Sequence, residues 1–166
     1  MYAVTAAELD GRPVVISGAD DRSVRVWDLA TGELVRDPFT GHTGAVYAVT
    51  TAQLDGRHVV ISSSGDRTVQ MWDAAKRRPM RHHFRRVRLR HEASVRAAAL
   101  MRREDRWNAI AGCWDSVSQT WDLSVCRTRS RTFTPGSTGI SAIAILAPDH
   151  VLYANGRTIS VGCGSF

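Results

Sequence analysis

The chain has 166 residues, of which 43% are hydrophobic and 23% charged, a composition that fits one soluble globular unit and argues against a disordered or fibrous protein. No apolar run approaches the ~20 residues that a membrane-spanning helix needs, and the opening MYAVTAAELDGR lacks the basic and apolar regions of a secretory leader, so a cytoplasmic location is expected. The net charge is +6, and the three cysteines, Cys113, Cys126 and Cys163, are widely spaced with no Cys-x-x-Cys, which suggests neither a disulfide framework nor a zinc site.

Residues 1–39 form a first unit. Residues 2–28 laid over 47–73 at an offset of 45 are identical at about two-thirds of the positions, including YAVT, LDGR, VVIS and a closing Trp-Asp. Such self-similarity is the mark of a repeat architecture. The unit opens directly on its first strand, with Met1 where the second unit has Val46, and LATG at 29–32 supplies the turn into a fourth run at 34–39.

Residues 40–89 hold the second unit. β-branched runs at 46–51, 57–62 and 67–72 are separated by LDGR and SSGD, which supply turn residues, so a meander of three strands is predicted with a fourth to follow. Nineteen positions separate Trp72 from His91 against fifteen between Trp27 and His42, which places a four-residue insertion in or beside that fourth strand. The stretch 76–90 is also where the basic character lies: Lys76, Arg77, Arg78, Arg81, Arg85, Arg86, Arg88 and Arg90, with no acid among them. Without it, 14 of the 22 basic residues face 16 acidic ones. A cluster of this kind, with Phe84 inside it, points to nucleic acid or an acidic protein surface, and phosphate binding would have to weaken steeply with salt. A solvated outer strand is the plainer reading and is preferred. His82 and His83 are adjacent, so on a strand they point to opposite faces, and no metal is expected.

Residues 90–133 form a third unit and 134–166 a degenerate fourth. In the third, His91, Asp115 and Trp121 align with His42, Asp66 and Trp72, but Ala111 stands at the Ser62 position, Ser118 at that of Val69, and Trp114 at the turn position of Gly65. An indole there is either a lid on its own blade or an exposed contact. The fourth unit has a good first strand in ISAIAIL and a hairpin in HVLYANGRTISV with Asn155-Gly156 as the tight turn, but no Trp-Asp and no fourth strand.

Gly41-His42, a hydrophobic strand, Ser62 and Asp66, then Trp72-Asp73, together resemble the WD40-repeat β-propeller family. The resemblance implies an all-β fold of about fifteen strands: three complete four-stranded blades and one incomplete blade in an open, partial propeller, within one WD40-repeat domain. It implies a buried hydrogen-bond network through His42, Ser62, Asp66 and Trp72, repeated in part by Ser17, Asp21 and Trp27 and by His91, Asp115 and Trp121. It also implies a partner-binding face at Asp20, Ala45, Tyr47, Gly65, Ser94, Arg96 and Trp114.

Ser62, His42 and Asp66 imitate a nucleophile, base and orienting acid. Ser17 and Asp21 repeat that pattern, as expected of a structural device and not of an active site, and neither a GxxxxGK[ST] loop nor an HRD segment is present. The expected function is a non-catalytic protein-interaction scaffold with no cofactor, no catalytic residue and an unidentified protein partner. Many bacterial relatives join the propeller to a kinase or nucleotide-hydrolysing domain, and a piece of such a protein is one reading of this chain. Because it begins on an innermost strand and ends on a third one, apolar rows at Val14, Ile16 and Val24 and at Ile143, Ile145 and Ile159 are expected to be uncovered, and dimerisation that completes the propeller, or aggregation, to follow.

Overall fold

The Leu-Asp-Gly-Arg sequence fixes the first hairpin. Leu9 pairs with Arg12, leaving Asp10 (φ 54°) and Gly11 (φ 74°) as a two-residue loop with both residues left-handed, the turn whose twist matches that of two antiparallel strands. It joins β1 (Ala3–Leu9) to β2 (Arg12–Gly18), and β3 (Val24–Asp28) pairs with β2. Residues 34 and 39 bridge back to Trp27 and Val24, so the run 34–39 follows the outer edge of β3 without forming a continuous ladder.

This computed structural model describes residues 1–54, 56–75, 78–79, 89–90, 93–103, 105–123, 127–133, 139–147, 150–155 and 158–163. The second sheet has β4 (Val46–Leu54), β5 (Arg57–Ser64) and β6 (Thr68–Asp73), with two short outer pieces, β7 (Arg78–Pro79) and β8 (Leu89–Arg90), both paired to β6. The third is β9 (Val95–Arg103), β10 (Arg106–Cys113), β11 (Val117–Asp122) and β12 (Arg127–Phe133). The fourth is β13 (Ile140–Ala147), β14 (His150–Asn155) and β15 (Thr158–Cys163). Every pairing is antiparallel, and all but the β6–β8 contact join chain neighbours, so the fold is all-β, a row of four meander sheets that stack as blades.

The core is three clusters, one at each junction between consecutive blades. Val14, Ile16, Val24 and Val26 of the first blade meet Val46, Val60 and Trp72 of the second. Val59, Ile61, Val69 and Met71 meet Val95, Ala109, Ala111 and Cys113 of the third, and Ala97, Met101 and Ile110 meet Ile140, Val151 and Tyr153 of the fourth. Side chains alternate along a strand, so each inner blade is apolar on both faces. Each fully buried Ile or Val at these junctions contributes on the order of 1.5–3 kcal/mol.

Two expectations are corrected here. Val14, Ile16 and Val24, expected at the uncovered end, are 1%, 0% and 0% exposed, because their face turns to the second blade; Val4, Ala6 and Val15 point the other way. Ile143 and Ile145 are likewise half-buried against the third blade, whereas Ile159 is 74% exposed. In the last hairpin Asn155, expected in the tight turn, pairs with Thr158 and ends β14, while Gly156 lies outside the described residues.

Candidate functional site

In the second blade, local geometry around the Gly-His pair decides the rest. A Cβ at Gly41 would lie 2.9 Å from Trp72 Cη2, so only glycine lets the loop press against that indole, and Gln70 Nε2 donates to the Gly41 carbonyl at 3.1 Å. His42 then enters the blade with its side chain fully covered. Its Nδ1 lies 2.9 Å from Asp66 Oδ2 and its Nε2 2.8 Å from Ser62 Oγ, while Trp72 Nε1 donates to the same Ser62 oxygen at 2.8 Å. A carboxylate only accepts, which assigns the proton to Nδ1 and leaves Nε2 to accept from the serine hydroxyl.

Asp66 also accepts from Thr43 N at 2.9 Å, Thr68 N at 3.0 Å and Thr68 Oγ1 at 2.5 Å. Burial alone would raise its pKa, but these hydrogen bonds, that from His42 foremost, outweigh it and hold the carboxyl well below the usual carboxylate range. The arrangement ties the loop before β4 to β5 and to the turn before β6. Ser62 is fully buried, its proton given to His42 and its lone pair to Trp72, so no substrate reaches it as a nucleophile.

The first blade repeats half of this. Trp27 Nε1 donates to Ser17 Oγ at 2.8 Å, and Asp21 accepts from Ser23 N and Oγ at 3.2 and 2.7 Å. The second oxygen of Asp21 takes Arg25 at 2.6 Å, from the position that Gln70 holds one blade on. The Ser23 bonds, then the Arg25 charge, lower the Asp21 pKa. In the third blade Asp115 accepts from Val117 N at 3.2 Å; Ala111 is buried and offers no hydroxyl, Trp121 packs against the cluster shared with the second blade, and His91 lies outside the described residues. Ser118, at the Val69 position, has its hydroxyl 3.4 Å from that of Tyr153 across the next junction. That burial raises the Tyr153 pKa.

The residues aligned with a partner-binding face form a second constellation. Tyr47 lies over Gly65, where a Cβ would come within 3.1 Å of the ring. Arg96 holds its guanidinium 4.0 Å from the Tyr47 ring centroid and 4.6 Å from that of Trp114, and Tyr2 meets Tyr47 edge to face at 5.3 Å. Ala45 and Ser94 fix the turns beneath: Gly65 N donates to Ala45 O and Trp114 N to Ser94 O, each at 2.9 Å, and Ser94 Oγ lies 3.4 Å from Gly65 O. Asp20 is exposed in the matching turn of the first blade. Trp114 is 59% exposed, which makes it an outward contact and not a lid.

Tyr2 joins this ladder without having been singled out, although its offset of 45 from Tyr47 marks it in the sequence. Of the basic stretch, Lys76, Arg77, Arg81, Arg85, Arg86 and Arg88 lie outside the described residues, and Arg78 and Arg90 are described only as backbone in β7 and β8. Between the inner strands an open cavity of about 620 Å3 is lined by Thr50, Gln53, Ala99, Trp107, Ile145 and their neighbours, none of them ionisable.

Residues 4–28 and 32–73 match the family described as WD domain, G-beta repeat. Those residues, in the first two blades, carry WD40 repeats. No curated protein matches the chain in sequence. Among solved structures it is similar to two computationally designed proteins. It superposes on Ika8 with a TM-score of 0.71 at 22% identity, over 97% of this chain and 45% of that one, so it spans less than half of Ika8. On Ika4 the TM-score is 0.72, also at 22% identity, over 98% of this chain and 92% of that one. At this identity the likeness concerns the fold alone.

Proposed function

We propose that this WD-repeat chain is a non-catalytic scaffold that binds protein partners through the face bearing Tyr47, Arg96 and Trp114. The observation that carries this reading is the stacked ladder. Arg and the large aromatic residues are the types that anchor protein interfaces, and here one guanidinium lies 4.0 and 4.6 Å from two ring centroids, with Trp114 and Tyr2 both more than half exposed. Stacking restricts Arg96 before any partner arrives, so less side-chain entropy is lost on docking. Among the described residues Arg96 has no carboxylate against it, which leaves its charge for an incoming group. The second-blade Ser-His-Asp set supports the same reading, since its polar atoms are used up within the blade.

The test is quantitative affinity capture from the native source, with the wild-type chain beside the double variant Arg96→Ala/Trp114→Ala. A partner depleted at least about tenfold by the variant, about 1.4 kcal/mol, is the expected result. Partners captured equally by both chains would exclude this face.

A further inference from the structure

Every junction in this chain has the same sidedness. The face of a blade that carries its Trp-Asp tryptophan turns to the preceding blade: Trp72 packs on the first blade and Trp121 on the second. The opposite face, with Val59, Ile61 and Met71 in the second blade and Met101 and Ile110 in the third, turns to the following one. Among the described residues nothing packs on the Trp27 face of the first blade or on the face of the fourth opposite Tyr153.

The strand register shows what those two faces are made of. On the first blade, one row runs Ala6, Val15, Trp27, Leu34 and the next Val4, Ser17, Arg25. Its charges lie at the two ends, Glu8 at one and the Arg25–Asp21 pair at the other. On the fourth blade, one row runs Ala144, Leu152, Val161 and the next Ala142, Ala154, Ile159, with no polar side chain among the six. Ile159 and Val161 are 74% and 57% exposed, Val4 and Leu34 54% and 46%, so among the described residues four of the eight exposed large hydrophobic ones lie on these two faces.

We propose that the Leu152–Ile159–Val161 face of one chain docks on the Val4–Val15–Trp27 face of a second copy, and the reverse, so that two chains close a ring of eight blades. The occupant follows from the sidedness rule: the Trp27 face needs a neighbour presenting the following-type face, and the fourth blade of the same sequence presents one. A two-fold axis makes the contact twice, each copy covering both faces of the other, and eight blades lie within the range at which propellers close. The bulky side chains of Leu152, Val161 and Ile159, from two adjacent rows, fill against the Trp27 indole, which Ser17 already holds in place. This assembly is independent of partner binding at Arg96 and leaves the Tyr47–Trp114 ladder uncovered by either junction.

Sedimentation equilibrium of the 18.3 kDa chain at micromolar concentration is expected to give the dimer mass. Ile159→Asp/Val161→Asp, and separately Val4→Arg/Leu34→Arg, should each raise the dissociation constant at least about tenfold, because a charge would be buried at both junctions. All four positions are exposed, so the monomers should keep the wild-type circular dichroism; Ile159→Ser/Val161→Ser is the milder second variant and should weaken the dimer in the same direction. Mixing the Asp and Arg variants should restore a heterodimer, since one junction is then intact and the other pairs opposite charges. A monomeric wild-type chain, a dimer indifferent to these changes, open filaments in place of a closed dimer, or no recovery on mixing would each overturn the proposal.

Discussion

Asp66 and His42, twenty-four positions apart, meet at 2.9 Å in a site from which both side chains are almost wholly withdrawn from water. The same carboxylate accepts from Thr43 and Thr68, so one side chain satisfies donors from a loop, a strand and a neighbouring turn. Asp66→Ala strands those donors, and it is expected to destabilise the chain by about 1–3 kcal/mol, whereas Asp20→Ala in the first blade should be near neutral. Urea unfolding of the two variants side by side measures this.

The same pair predicts a pH dependence. The folded carboxyl of Asp66 titrates below the unfolded value of about 3.9, so its contribution is fully present above that value and is lost as pH falls through the lower, folded pKa. The stability gap between wild type and Asp66→Asn should accordingly be constant from about pH 7 to 5 and shrink below about pH 4. A gap that widens on acidification would contradict the assigned protonation.

Trp72→Phe removes a donor from fully buried Ser62 Oγ and leaves space in the cluster between the first two blades. A loss of about 2–4 kcal/mol is expected. Trp27→Phe removes the equivalent donor from Ser17, but Trp27 is only half-buried, and a smaller loss should result in thermal melts.

Gly41→Ala tests the close approach of the loop to Trp72 together with the backbone of Gly41 itself. The new methyl group would sit 2.9 Å from Trp72 Cη2 and 3.1 Å from Gln70 Oε1, and moving either disturbs the His42 network. Overpacking of this kind costs about 1–3 kcal/mol, while Gly32→Ala, with open space around it, should lose only what its left-handed φ of 72° demands.

The repeat, the meander order and the residues of the second-blade network are all legible in the sequence, because they rest on identity between units. What escaped rests on difference. Arg25 pairs with Asp21 although Gln70 stands at its position one blade on, and no comparison of like with like singles it out. Arg96 and Trp114 exchange the sizes of Tyr47 and Gly65, so their stacking becomes visible only when two blades are laid side by side in space. The buried state of Val14, Ile16 and Val24 was misread because alternation defines two faces per strand without saying which one meets the neighbour.

In the second blade, the contacts of β7 and β8 with β6 join Trp72 to Pro79 and Val69 to Leu89, three positions apart on one strand and ten on the other. The unit therefore accepts extra length at its rim while Trp72, Ser62 and the junctions on either side keep their register. A change of chain length between Pro79 and Leu89 would leave both anchors on β6, and the spacing of the inner strands would not follow the size of the change.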